Sequence, residues 1–364
     1  MRIAALETYP ITMTLENPVP MANGVIEKTG NVVVKLVTDS GLIGWGEGVE
    51  APSLTHQRQA DIVADLEALS PLVIGADPIR RTALWGRLIA ASPTAATALG
   101  AIDIAVHDLV GRALGVPIHQ LIGGAVRDRI PALTLVGSGD QSADSEKLAE
   151  RYEKGFRWFK IKLGMAPPDV ELGTLAKATE LVGSDGVVCG DVNEGWSEAE
   201  AKSFLDQLDG DRIRFIEQPV PRTDRDALLR LAASSPVKLC ADESAGSLAA
   251  VIGFLGTPIG GVSLKLIKHG GITGVMRGAA ICSAGGLGIN LAGKVIESSI
   301  SAAANLHCAA AMDRVDFGCS PANQGVVQDV SERPIEVDNG EFTIPTGPGL
   351  GLEVDEDLVR RLAF

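Results

Sequence analysis

Polar and apolar positions along the chain fall into two textures. Up to about residue 50 apolar residues recur at every second position, as in NVVVKLVTDSGLIGWGEG, which predicts a β-hairpin turning at Asp39-Ser40-Gly41. Helical spacing follows, clearest in TALGAIDIAVHDLVGRALG, where Ile102, Ala105, Val106 and Leu109 share one face. From about Arg129 short apolar runs alternate with helical segments: IPALTL, WFKIKL, GVVCGD, RIRFIEQ, VKLCAD, GGVSLKL and LGINLAG. Such a run of strand–helix units, each about 25 residues long, predicts a closed parallel β/α barrel. A three-layer open sheet fits less well, because the spacing is even and no glycine-rich nucleotide loop follows the first run. Beyond about Cys319 the helical rhythm stops. GEFTIPTGPGLGLEVDEDLV is strand-like, rich in Gly and Pro, and expected to return to the N-terminal β-structure.

Composition supports this picture and narrows the partners. The 364 residues are 46% hydrophobic but only 4% aromatic, so the core is built from Ala, Val, Ile and Leu, as in a parallel sheet wrapped by helices. A net charge of −14 offers no electrostatic footprint for phosphate backbones, and no nucleic-acid partner is expected. The five cysteines are scattered, and Cys189 and Cys240 lie inside apolar runs as small buried hydrophobes of a reducing compartment. MRIAALETYP has no basic flank leading into an apolar core, and the apolar stretches are interrupted well before membrane length. A soluble, cytoplasmic protein without a membrane partner is the expectation.

The polar residues that interrupt the strands carry the chemistry. FKIKLG places Lys160 and Lys162 on one face of the second strand, because i and i+2 share a face, and leaves Phe159 and Ile161 for the helices. The third strand ends in Asp191, the fourth in Glu217, the fifth in Asp242-Glu243 and the sixth in Lys265. Each follows the last by one strand–helix unit, so all converge on the C-terminal mouth, where barrels of this class carry their active sites. Helix capping is the competing explanation for the acids. The helix starts, however, hold their own caps: Ser197-Glu198-Ala199-Glu200 and Thr223-Asp224-Arg225-Asp226 fit the capping box, and Asp169 and Ser247 suit two other helices. Three converging carboxylates repel one another unless a cation binds them, and an all-oxygen set suits Mg²⁺ or Mn²⁺ rather than zinc. Lysines beside that cation are pushed toward neutrality and become competent bases. Lys265 lies across the ring from Lys162, so one substrate carbon held between them can lose a proton to one face and regain it from the other.

This constellation resembles the enolase superfamily, in its muconate-lactonising (muconate cycloisomerase) subgroup of the mandelate racemase/muconate lactonising enzyme family. The resemblance covers nearly the whole chain. AIDIAVHDLVGRALGVPIHQLIGG is similar to the segment leading from capping domain to barrel. FKIKLG, GDVNEGWS, IEQPV, ADES and SLKLIKHGGI are similar to the successive active-site strands, and PTGPGLGLEVDEDLV to the C-terminal return. It implies a modified (β/α)₇β TIM barrel under an α+β capping domain, with the cap at 1–125, the barrel at 126–320 and the returning segment at 321–364. It also implies Mg²⁺ on Asp191, Glu217 and Asp242, with Lys162 and Lys265 as acid/base residues and Lys160 polarising the substrate carboxylate. The implied common step removes a proton α to a carboxylate and leaves an enediolate stabilised by the metal. The mandelate-racemase branch would carry His after the first lysine and at strand seven; here Lys162 occupies the former and strand seven has none.

Other residues have lesser expected roles. Lys268 follows Lys265 by three and is expected to turn away from the mouth, standing second to it as a substrate contact, while His269 is a loop residue. Asn193 orients a ligand or a water at the substrate site, Glu243 supports Asp242 from behind, and Glu297 either touches substrate or caps a helix. His107 and His119 are structural. The segment Leu15–Gly30 is expected to be a loop that closes over the mouth. Several reactions suit two opposed lysines: cycloisomerisation of a muconate-type diacid, racemisation or epimerisation of an N-acyl amino acid or dipeptide, and syn elimination as in o-succinylbenzoate synthase. Dipeptide epimerases carry Asp-x-Asp at strand eight, whereas RVDFGCSP offers only Asp316. The first reading is therefore an isomerase, cycloisomerase ahead of racemase or epimerase, acting on a small-molecule carboxylate as a homo-oligomer. A non-catalytic binding protein that kept the metal site would have lost one of the five charged positions, and none is lost.

Overall fold

A computed structural model of the chain describes residues 1–21 and 24–363. Three antiparallel strands, β1 (Ile3–Met21), β2 (Gly24–Thr38) and β3 (Ile43–Val49), form the first sheet, with the expected turn between β2 and β3. The segment 15–30 is not a loop. β1 and β2 pair out to Met21 and Gly24, with a register shift between Thr14 and Val19, so a long two-stranded ribbon stands where a loop was expected. Pairing breaks off between Thr14 and Val19, where Glu16 N–H instead donates to the Gly325 carbonyl at 2.9 Å, and resumes from Val19 to Met21. Ala22 and Asn23 of that segment lie outside the described residues.

Helices α1 (Gln59–Val73), α2 (Arg81–Ala91) and α3 (Ala96–Leu114) cover this sheet. α3 is buried from Thr97 to Gly111 on every side rather than along one stripe, because it is sandwiched between β3 and the barrel. The glycines of GWGEG permit that approach. A Cβ on Gly46 would stand 2.0 Å from the Ala101 carbonyl oxygen, and one on Gly44 2.3 Å from that of Ala105.

After β4 (Arg129–Pro131) come eight parallel strands: β5 (Leu133–Val136), β6 (Trp158–Lys162), β7 (Val187–Asp191), β8 (Ile216–Glu217), β9 (Leu239–Ala241), β10 (Gly261–Leu264), β11 (Gly288–Ala292) and β12 (Gly318–Ser320). They neighbour one another in chain order, and a parallel bridge between Ala132 and Cys319 closes the ring. A helix follows each of the first seven strands and none follows β12, which is the (β/α)₇β arrangement. Inside the ring, Phe215 and Phe317 stack with centroids 4.4 Å apart among Leu133, Cys189 and Cys240. Alternation then dictates the next layer: Asp191, Glu217 and Asp242 each sit two residues beyond Cys189, Phe215 and Cys240 on the same inward face. An apolar plug thus underlies a charged layer at the strands' C-terminal ends.

The C-terminal segment divides its contacts. β13 (Val337–Asp338) and β14 (Glu341–Thr343) form a hairpin that pairs with β4 at the foot of the barrel, not with the N-terminal sheet. Farther on the chain does return to the cap: Leu350 N–H donates to Asp108, Arg112 donates to the Leu352 carbonyl, and Lys35 pairs with Glu356 at 2.7 Å. Two expected caps are also corrected. The helix Arg225–Ser234 is capped by Asp224 instead of by Thr223, and Asp169 lies inside the helix Pro168–Val182 behind the cap residue Pro167. Ser197, with its capping box, and Ser247 cap as expected. All five cysteines are buried free thiols. Among the described residues no helix is long and apolar enough to cross a membrane.

Candidate active site

Lys160, Lys162, Asp191, Glu217, Asp242 and Lys268 are almost completely buried together at the barrel mouth, and Lys265 is slightly more open, its side chain 13% exposed. Every acid of the three neighbouring strands is closed on an ammonium group. Lys162 Nζ donates to Asp191 Oδ2 at 2.8 Å and to the Asn193 side-chain oxygen. Lys160 donates to Glu217 Oε2, and Lys265 donates to Asp242 Oδ2 at 2.6 Å. Among the described residues no three His, Cys, Asp or Glu side chains form a ready metal cluster.

The charges set one another's protonation. Burial raises the Asp242 carboxyl, but Lys265 and Lys268 outweigh it and hold the group well below the usual carboxylate range. Asp191 is lowered likewise: burial opposes ionisation, and Lys162 and Lys160 overcome it. Burial alone would lower the ammonium groups of Lys160 and Lys265. Glu217 with Asp191, and Asp242 with Glu217, raise them above the ordinary lysine value instead. With the carboxylate charge left to them alone, Lys160 and Lys265 are held as ammonium groups rather than near neutrality. Neutrality requires another cation to take up the carboxylate charge.

Lys268 corrects its expectation. Rather than turning away, it points inward and donates to Asp242 O (2.7 Å), Asp242 Oδ1 (2.6 Å) and Ser263 O (2.9 Å). Its three N–H bonds are thereby occupied, which leaves it to fix the end of β9 instead of meeting a ligand. His269 lies in the short helix Leu266–His269, not in a loop, and is buried. Asn193 adopts a left-handed backbone (φ 48°), and its amide bridges Lys162 to Glu243 Oε1, with 3.3 Å to the latter. Burial and then the charges of Asp242 and Asp191 push Glu243 up to about 8, and its second oxygen is buried without a partner.

Glu297 is no helix cap; Ser298 caps the following helix Ser299–Ala311. The Glu297 carboxylate accepts from the Lys294 and Ala322 N–H groups and the Asn305 amide, and burial pushes it up to about 8. His107 bonds the Asp103 carbonyl and His119 meets His307, both away from the mouth. Asp316 precedes β12 and pairs with Arg314, so it stands at the opposite end of the strand from the mouth.

Four further residues complete the site. Ser263 and Asn290, partners in the β10–β11 register, both donate to Glu217 Oε1. Gln218 accepts the Asp242 N–H at 3.1 Å and the Ser244 N–H at 3.0 Å. Lys294 follows β11 on the same rim as Lys265, one strand–helix unit later, and that spacing was the signal that could have found it. Inward-facing Ser and Asn inside apolar strands carry no comparable sign.

Comparison with known proteins gives a consistent result. Residues 5–123 match the family described as mandelate racemase / muconate lactonizing enzyme, N-terminal domain, and residues 144–358 match enolase C-terminal domain-like. A chloromuconate cycloisomerase of Pseudomonas putida is 33% identical over 368 residues, covering 99% of this chain and 98% of the relative. The N-succinyl-L-Arg/Lys racemase of Bacillus cereus is 28% identical over 365 residues, covering 100% and 98%. Among solved structures, 2-chloromuconate cycloisomerase from Rhodococcus opacus 1CP superimposes with a TM-score of 0.93 at 27% identity over 100% of both chains.

Proposed function

Because the chain belongs to the mandelate racemase/muconate lactonizing enzyme family of the enolase superfamily and the relatives named above are isomerases, we propose that it is a cycloisomerase of the muconate-lactonising type. The observation that carries this reading is the placement of two ammonium groups. Lys162 ends β6 and Lys265 follows β10, four strands apart in a ring of eight, so they face each other across the mouth. In the cycloisomerase, one of them delivers or removes the proton on the carbon beside the substrate carboxylate, while Lys160 orients that carboxylate.

Asp191, Glu217 and Asp242 fit a hard divalent cation: they are oxygen donors from three adjacent strands, and Glu243 adds a buried carboxylate oxygen with no partner. Bound there, Mg²⁺, or Mn²⁺ in its place, supplies positive charge to the substrate carboxylate as the neighbouring carbon exchanges its proton. Asn193, Ser263, Asn290, Gln218 and Lys268 hold the acids in position. The buried free thiols suit the reducing, cytoplasmic setting of such an enzyme.

Opposed lysines also suit 1,1-proton transfer, and the 28% identical racemase keeps N-acyl amino acids as the second reading. Dipeptides are disfavoured, since Asp316 stands away from the mouth. The test is incubation with Mg²⁺ in D₂O of cis,cis-muconates, N-succinyl amino acids and dipeptides, followed by mass spectrometry and NMR. A lactone carrying one deuterium beside its carboxylate is the expected product. Racemised, α-deuterated N-succinyl amino acid without any lactone would replace the first reading by the second, and exchange into no carboxylate would overturn both.

A further inference from the structure

We propose that Lys294 determines specificity by receiving the second carboxylate of a dicarboxylate substrate, an assignment that rests on the cycloisomerase reading above. Its position is set by the fold. Lys294 lies two residues past the end of β11, on the rim that also carries Lys162 and Lys265. Its own N–H donates to Glu297 Oε2 at 3.1 Å, and the N–H of Gly293 donates to Ser320 O at 2.9 Å. A Cβ on Gly293 would meet the Glu297 carboxylate at 2.3–2.8 Å, so glycine before the lysine lets that carboxylate pack against the loop.

The side chain is half-buried, and among the described residues its ammonium group has no hydrogen-bond or ion-pair partner. By contrast, Lys160, Lys162, Lys265 and Lys268 all have carboxylate partners. The charges acting on Lys294 come from both sides of the mouth and from the cap: Lys265, Glu50, Lys162 and Glu297. Neither acid comes within ion-pair distance of it, and both are engaged elsewhere. Glu50 accepts the N–H groups of Gly30 and Gln59, and Glu297 accepts those of Lys294 and Ala322. Burial, then the like charge of Lys265, pulls this ammonium down to about 8.

A half-buried cation with no ion-pair partner, under the like charges of Lys265 and Lys162, is an unfavourable arrangement for the empty mouth. An arriving anion relieves it. The reacting carboxylate belongs with Lys160 and the cation that the acids of β7 to β9 would hold, so the anion left for Lys294 is the far end of a diacid. A monocarboxylate of the same length leaves the ammonium as it stands. The recognition is therefore for charge at the second end, not for chain length.

Calorimetric binding of adipate and hexanoate, in the presence of Mg²⁺, separates the two contributions, because the chains are equally long and differ by one carboxylate. The wild-type protein is expected to bind adipate at least about tenfold more tightly. Lys294→Met and Lys294→Gln should bring that ratio to within about twofold, and Lys294→Arg should retain most of it. With muconate, the Met variant should raise KM more than it lowers kcat. Melting temperatures of the variants report whether the fold is intact, and two neutral replacements guard against loss of one. A preference for adipate that survives in both neutral variants, a wild type without the preference, or an Arg variant no better than Met overturns the assignment. A wild type that exchanges deuterium into no carboxylate sinks the isomerase reading instead, and the binding ratio still decides Lys294.

Discussion

Lys162 and Lys265 are each paired with a carboxylate at the mouth, so removing either one takes away a proton carrier together with one ion pair, although Asp242 keeps Lys268 when Lys265 is lost. Lys162→Ala and Lys265→Ala should therefore lower turnover at least about a hundredfold, and NMR of the D₂O reaction shows which of them handles the exchanged proton. Turnover within a few-fold of wild type in both would remove them from the chemistry. Glu297 carries a different prediction. Raised by burial from 4.5 to about 8, it keeps in the folded protein a proton that the unfolded chain has already lost. Its contribution to stability is complete below about pH 4.5 and disappears as the pH rises through about 8. Asn305 is placed to help, for its Nδ2 meets Glu297 Oε1 at 3.3 Å while its own oxygen is buried without a partner, and a reversed amide would accept the carboxyl proton. Urea midpoints between pH 5 and 8 should fall more steeply for wild type than for Glu297→Gln; parallel slopes would show an ionised Glu297. Lysines on inward positions and acids at strand ends were legible because charge in an apolar strand contradicts its surroundings. Lys268 was misjudged, because spacing alone does not reveal a short helix that folds its side chain back onto Asp242.

At the scale of elements, the strand–helix rhythm was readable because each run is bounded by turns and capped helices, and Ser197 and Ser247 cap the helices expected of them. What the pattern hid was contact between elements. α3 showed one apolar face, yet it is enclosed on all sides, and the glycines that admit it belong to β3. This sets up a paired test. Gly46→Ala would drive a Cβ to 2.0 Å from the Ala101 carbonyl and should destabilise the protein by about 1–3 kcal/mol or more. Gly86→Ala, within α2 and with nothing within 4 Å, should stabilise it by about 0.5–1 kcal/mol. Chemical denaturation of the two variants decides, and equal effects would mean that β3 and α3 are not in this close packing. The ribbon of β1 and β2 escaped sequence reading for a related reason. Its polar, proline-containing stretch looks like a loop until the opposite arm supplies its pairing partners.

Across the whole molecule, cap and barrel are joined at points where polar groups are shared. Glu47 of β3 accepts the Ser298 and Ser301 N–H groups at the start of a barrel helix, and Asn31 of β2 donates to both Glu47 and the Ile296 carbonyl. Arg222, beyond β8, holds Glu194 and the carbonyls of Ser53 and Leu54 together. None of these contacts has a local sequence signature, since each joins residues far apart in the chain. They fix the capping sheet over a mouth lined by three acids and two opposed ammonium groups, and the functional account depends on those acids taking up one cation. Titration of metal-stripped protein with Mn²⁺, followed by electron paramagnetic resonance, examines it most directly, with wild type beside Asp191→Asn, Glu217→Gln and Asp242→Asn. One tightly bound ion per chain in the wild type, weakened at least about tenfold by each substitution, is the predicted result. A wild type with no stoichiometric site, or three variants that bind the ion as well as it does, would contradict the account.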